Sequence, residues 1–118
     1  MSPFGLIETF GLLLFAHMLA DYPLQGEFLA KAKNRFAPVP GVPWYQAMAA
    51  HSVIHGGMVG LVTGSLWLGL AETVIHAMID DLKCGNRISY NQDQTLHLLC
   101  KLFWLGLMAA GVGGWGAL

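Results

Sequence analysis

Apolar residues run through this chain in four long stretches, each interrupted by polar side chains spaced four residues apart. Residues 3–20 are apolar except for Glu8, Thr9 and His17, enough for a short membrane span. Tyr22-Pro23 closes that helix, because proline disfavours the helical conformation in the residue before it. Residues 25–35 set Phe28, Leu29 and Ala32 against Lys31, Lys33 and Arg35, the pattern of a short amphipathic helix on a membrane surface. Residues 36–43 (FAPVPGVP) form a stiff connector. Residues 44–71 are too long an apolar run for one span, and Thr63-Gly64-Ser65 is the natural break. Helices are therefore predicted over about 44–63 and 66–84. A turn over 84–91 follows, with Asn91 as cap of a last helix over about 92–114.

The pattern predicts an all-α fold. It is a four-transmembrane-helix bundle, one integral membrane domain over 1–118, with spans at about 4–22, 44–63, 66–84 and 92–114. The amphipathic helix would lie in the first loop. Lys31, Lys33, Arg35, Lys83 and Arg87 fall in or beside loops one and three, which the positive-inside rule places in the cytoplasm, with both termini outside. Tyr22, Trp44, Tyr45 and Tyr90 would mark the inner interface, and Trp67 and Trp115 the outer one. Trp104 fits neither belt and is expected to pack inside. These positions predict a multi-pass protein of a bacterial inner membrane.

Composition agrees: 55% of the 118 residues are hydrophobic and only 11% charged, against about a quarter in an ordinary soluble domain. A net charge of −1 carries no message about nucleic acid, and no basic stripe suggests such a partner, so none is expected. Met1 to Ala20 lacks the basic start of a cleaved signal peptide. Cys84 and Cys100 make no C-x-x-C pair and read as apolar fillers.

The chemistry is in the polar interruptions. Every histidine has a His, Asp or Glu four residues away: His17/Asp21, His51/His55, Glu72/His76/Asp80 and Asp93/His97. Four residues is just over one helical turn, so each set shares a helix face. Counted along their helices, His17, His51, His76 and His97 fall at one level, about 8–10 Å from the cytoplasmic ends. Imidazole and carboxylate at one depth suit a divalent metal, zinc first and manganese or iron as alternatives. The candidate ligands are His17, Asp21, His51, His55, His76, Asp80, Asp93 and His97. Their number exceeds one tetrahedral site, so either two metals or one metal with orienting carboxylates would use them. Lys101, one turn past His97, is a partner for Glu72 or a site residue. Rows of small residues, Gly56/Gly60/Gly64 and Gly106/Ala110/Gly114, predict close helix packing and homo-oligomers.

These residues also carry a resemblance. HMLADYPLQ (His17 to Gln25), the isolated His51, HAMIDDLK (His76 to Lys83) and NQDQTLH (Asn91 to His97) resemble the DUF3307 family. The resemblance implies a small bacterial or phage polytopic membrane protein and brings no established reaction. His55, Glu72 and the proline-rich loop lie outside its pattern.

The leading functional expectation is a membrane-embedded metal-dependent hydrolase. A bound metal lowers the pKa of water to about 7. Glu72, Asp80 and Lys83 are the candidate catalytic residues, with Glu72 or a non-ligating aspartate as general base. Gln25, Lys31, Lys83, Arg87 and Gln94 are candidates to bind an anionic small-molecule or lipid substrate carrying phosphate. Two alternatives stand beside it: a metal-ion or proton channel or transporter subunit, and a non-catalytic phage or host membrane factor with a structural metal.

Overall fold

The computed structural model describes residues 5–111 as five helices: α1 Leu6–Asp21, α2 Gly26–Ala32, α3 Trp44–Thr63, α4 Leu66–Cys84 and α5 Tyr90–Ala109. Gly114, Trp115 and the ends of the expected first and last spans lie outside the described residues. Local chemistry sets the boundaries. α3 stops at Gly64, which takes a left-handed φ of 71° that L side chains resist. The Ser65 hydroxyl then accepts a hydrogen bond from the Leu68 backbone N–H and starts α4. α5 opens with a reciprocal capping box: Gln92 N–H donates to the Ser89 hydroxyl, and Ser89 N–H donates to the Gln92 side chain. Ser89, not Asn91, is therefore the cap, and the helix begins earlier than its hydrophobic pattern suggests.

The four long helices pack α1 on α3 and α5, and α4 on α3 and α5, while α2 rests on α3. The α3–α4 contact is the tightest, because Gly56 and Gly60 on α3 meet Gly69 on α4. A Cβ at Gly69 would stand 2.8 Å from the Gly56 carbonyl oxygen. The Gly56/Gly60 row is thus a packing surface. Gly64 is a helix terminator, and Gly106 faces open space.

One feature of the expected fold is overturned. No helix among the described residues is long and apolar enough to cross a membrane. α1 has 16 residues, about 24 Å of helix against about 30 Å of hydrocarbon. α3, α4 and α5 are long enough, but polar residues break their apolar runs: Gln46, His51 and His55 in α3, Glu72 to Lys83 in α4, Asn91 to Lys101 in α5. The four-span bundle, the membrane-surface helix and the multi-pass placement in an inner membrane, with cytoplasmic loops and outer termini, are corrected accordingly.

The interior is divided along the bundle. At one end Leu13, Val59, Leu68, Trp104 and Met108 form an apolar cluster. At the other, His17, His51, His55, His76, His97, Glu72, Asp80, Asp93 and Lys101 are all buried, while large apolar side chains such as Ile7, Leu61, Phe15 and Val74 face outward.

Candidate metal centre

The four-residue spacing works as geometry. It turns His17 and Asp21 of α1, His51 and His55 of α3, Glu72, His76 and Asp80 of α4, and Asp93 and His97 of α5 onto the inward faces of their helices. Charged groups persist in an interior only when paired or hydrogen-bonded, and here they pair with one another.

At the centre, the Nε2 atoms of His51 and His76 are 3.3 Å apart. Asp21 Oδ1 lies 3.2 Å from His51 Nε2, 2.9 Å from His55 Nε2 and 3.9 Å from His76 Nε2. Asp80 Oδ2 lies 3.4 Å from both His51 Nε2 and His76 Nε2. Ligand atoms about 2.1 Å from one ion stand about 3.4 Å apart in a tetrahedron and about 3.0 Å apart in an octahedron. Most of these separations fall at those values, so Asp21, His51, His55 and His76 can hold a metal ion, with Asp80 Oδ2 beside His51 and His76 at its edge. Asp80 Oδ1 turns the other way, 3.1 Å from His97 Nε2, which is also 3.3 Å from Asp93 Oδ1.

Glu72 lies behind this constellation. Its Oε2 accepts from His76 Nδ1 at 3.0 Å, and its Oε1 accepts from Lys101 Nζ at 3.0 Å and Trp104 Nε1 at 2.8 Å. The Glu72 bond holds the proton on His76 Nδ1 and leaves the Nε2 lone pair aimed at the centre. This is the tautomer that a carboxylate behind a metal-ligating imidazole selects. Glu72 is fully buried with both oxygens engaged by His76, Lys101 and Trp104, so its geometry is that of an orienting group rather than a base. Lys101 is its partner, and Trp104 is packed inside with its indole N–H satisfied.

The electrostatics follow from burial and pairing. Burial lowers the pKa of His51 and His55, the latter to about 3, against the pull of hydrogen bonds to Asp21. Neutral imidazole is the form that binds metals. For His97, burial is the largest effect and lowers the pKa, but Asp80 and Asp93 together overcome it and raise it to about 9. Burial raises the carboxyls of Asp21 and Asp80. The polar contacts of Asp21 with His51, His55 and Gln94, and of Asp80 with His76 and His97, outweigh it and hold both well below the usual range.

A cavity of about 360 Å³ opens onto the constellation from one end of the bundle. Asp21, Asp80 and Asp93 form its inner wall, and Gln25, Lys33, Lys83, Cys84, Tyr90 and Gln94 are among its sides. Tyr22 and Tyr90 join hydroxyls across its rim. Gln94 donates to Asp21 Oδ2 at 2.9 Å and to Asp93 Oδ2 at 3.2 Å, and accepts from His17 Nε2 at 3.0 Å. His17 is therefore beside the ligand set and occupied by Gln94.

Not every expected site residue arrives here. Lys31 points to solvent and pairs with Glu27, and Arg87 is exposed and lines no part of the cavity. Besides Lys83, the lysine that arrives is Lys33, which donates to Asp80 Oδ2 at 2.7 Å and to the Gln25 side chain. Its signal is periodic: Gln25, Leu29 and Lys33 recur at four-residue steps on the inward face of α2, whereas Lys31 falls off that face.

No curated protein and no solved structure matches the chain. A family model described as a protein of unknown function, DUF3307, matches residues 9–110, which include every residue of the centre and its cavity. The chain belongs to the DUF3307 family.

Proposed function

We propose that the protein is a metal-dependent hydrolase acting on a phosphate-containing substrate. The observation that carries this reading is the meeting of a buried His/Asp constellation at ion-binding separations with a one-sided cavity bearing two lysines. A divalent metal held by Asp21, His51, His55 and His76, with Asp80 at its edge, would supply Lewis acidity toward a phosphoryl oxygen and lower the pKa of a bound water to about 7.

The chain's own residues supply the rest. Lys33 and Lys83 stand at the cavity wall, where they neutralise phosphoryl oxygens as charge builds. Gln25 and Gln94 fix the positions of Lys33 and Asp21. Water attacking phosphorus passes its proton to the solvent in the cavity, since Asp21 and Asp80 are held ionised beside the ion. The phosphorus–oxygen bond to the leaving group breaks, and the departing oxygen takes up a proton. Hydrolysis is favoured over transport, because a conducting path needs a second opening and, among the described residues, the far end of the bundle holds the apolar cluster around Leu13 and Trp104.

The experiment is a screen of purified, metal-loaded protein against phosphate mono- and diesters, soluble and lipid-borne, reading released phosphate or alcohol. Turnover that disappears on chelation and returns with metal supports the reading. Full turnover in metal-free protein, or ion flux in liposomes without hydrolysis of any ester, overturns it.

A further inference from the structure

The geometry points to a two-ion centre bridged by Asp80, a deepening of the metal-dependent reading on which it rests. The two oxygens of this carboxylate face different ligand sets. Oδ2 stands 3.4 Å from the Nε2 atoms of His51 and His76, beside Asp21, and Oδ1 stands 3.1 Å from His97 Nε2. His97 Nε2 is in turn 3.3 Å from Asp93 Oδ1. A carboxylate with one oxygen in each of two ligand groups holds ions about 3.5–4 Å apart, the spacing of two-metal hydrolytic sites.

A second observation marks the Asp93 side. Asp93 is 5% exposed, and its Oδ1 accepts no hydrogen bond although His97 Nε2 is close. Buried carboxylate oxygens ordinarily find a donor, and a cation shared with Asp80 Oδ1 and His97 Nε2 would satisfy this one. The two sites differ in completeness. Asp21, His51, His55 and His76 supply four ligands to the first position, with Asp80 Oδ2 at its edge beside His51 and His76. Asp80 Oδ1, Asp93 and His97 supply only three ligands to the second, and Asp80 and Asp93 both line the cavity. Three protein ligands with an open position is the pattern of a catalytic rather than a structural metal. The second ion is thus the one that meets substrate, and a phosphoryl group lying between both ions is the substrate geometry this centre fits. Lys33, which donates to Asp80 Oδ2 from the cavity side, shifts onto that anion when the bridge forms.

The test is stoichiometry and magnetic coupling in the whole chain. Chelator-stripped protein titrated with MnCl2 and desalted is expected to retain two Mn2+ per chain, with an exchange-coupled electron paramagnetic resonance spectrum. His97→Ala should retain one ion with the six-line spectrum of isolated Mn2+, and Asp80→Asn should lose the coupling. Thermal unfolding checks that each variant folds, and the wild-type spectrum decides the matter if one does not. One Mn2+ per wild-type chain with ester hydrolysis intact, or two uncoupled ions, overturns the bridge and leaves the hydrolase reading standing. No retained Mn2+ overturns both.

Discussion

Gly56→Ala and Gly57→Ala place the same methyl group on neighbouring residues of α3, and the structure assigns them opposite signs. At Gly56 a Cβ would stand 1.8 Å from Thr73 Oγ1 and 2.5 Å from the Gly69 carbonyl oxygen. The Thr73 side chain can rotate at the expense of its 2.9 Å hydrogen bond to Gly69, but the carbonyl is backbone and stays in place. α3 and α4 must separate by roughly 1 Å to restore ordinary contact. Overpacking of this kind costs about 1–3 kcal/mol, and Ala recovers about 0.8–1 kcal/mol of helix propensity, leaving a net loss of up to about 2 kcal/mol. At Gly57 a Cβ meets nothing within 4 Å, so only the propensity gain remains, up to about 1 kcal/mol of stabilisation. Denaturant unfolding of both variants followed by circular dichroism measures the difference directly. The separation also moves His51 and His55 away from His76, so Gly56→Ala should bind metal more weakly than wild type while Gly57→Ala should not. If Gly56→Ala is as stable as Gly57→Ala, the close approach of α3 and α4 is wrong.

Lys33→Ala is expected to lower turnover about 100-fold by removing a cavity cation. Lys31→Ala should leave turnover unchanged and stability within about 0.5 kcal/mol, as for any exposed pair, and parallel kinetics of the two separate them. Glu72→Gln keeps side-chain volume but loses the charge that orients His76, so metal affinity should fall about 10–100-fold in competition with a chromophoric chelator. Glu72→Ala strands the Lys101 ammonium, which is 1% exposed, and should destabilise the chain by about 3–5 kcal/mol in denaturant unfolding. Ser89→Ala removes half of the α5 capping box and should cost about 1 kcal/mol, a drop of about 4 °C in thermal midpoint. Metal at about 100 times its dissociation constant should add about 2.7 kcal/mol to stability, and excess chelator should remove it.

Much of the centre is legible in the sequence, because a helix converts spacing into direction. Polar pairs four residues apart inside apolar runs can only mark a common face, and that face is the interior. α3 and α4 occupy the expected residues 44–63 and 66–84, since Thr63-Gly64-Ser65 carries both a left-handed terminator and a cap. The α5 start is misread by periodicity alone, although Ser89-x-x-Gln92 is itself a capping signature. The membrane reading fails for a different reason. Composition and apolar runs register how much apolar surface a helix carries, not whether enough of it is continuous; the outward residues Ile7, Leu61 and Val74 inflate the runs that the buried polar groups interrupt. Which carboxylate faces which imidazole depends on helix rotation and on partners from other helices. The roles of Glu72 behind His76 and of Asp80 between two ligand sets therefore appear only in three dimensions.

The hydrogen bonds of Gln94 with His17 and Asp21 join residues 77 and 73 positions apart, so beyond the apolar cluster of Leu13, Trp104 and Met108 the first and last helices are tied together through the centre's own wall. Cohesion between the two ends of the chain and occupancy of the centre are then linked. Ligation energy would slow amide hydrogen exchange most in α1 and α5, the outer pair, and least in the glycine-seamed α3–α4 hairpin, which holds itself together without it.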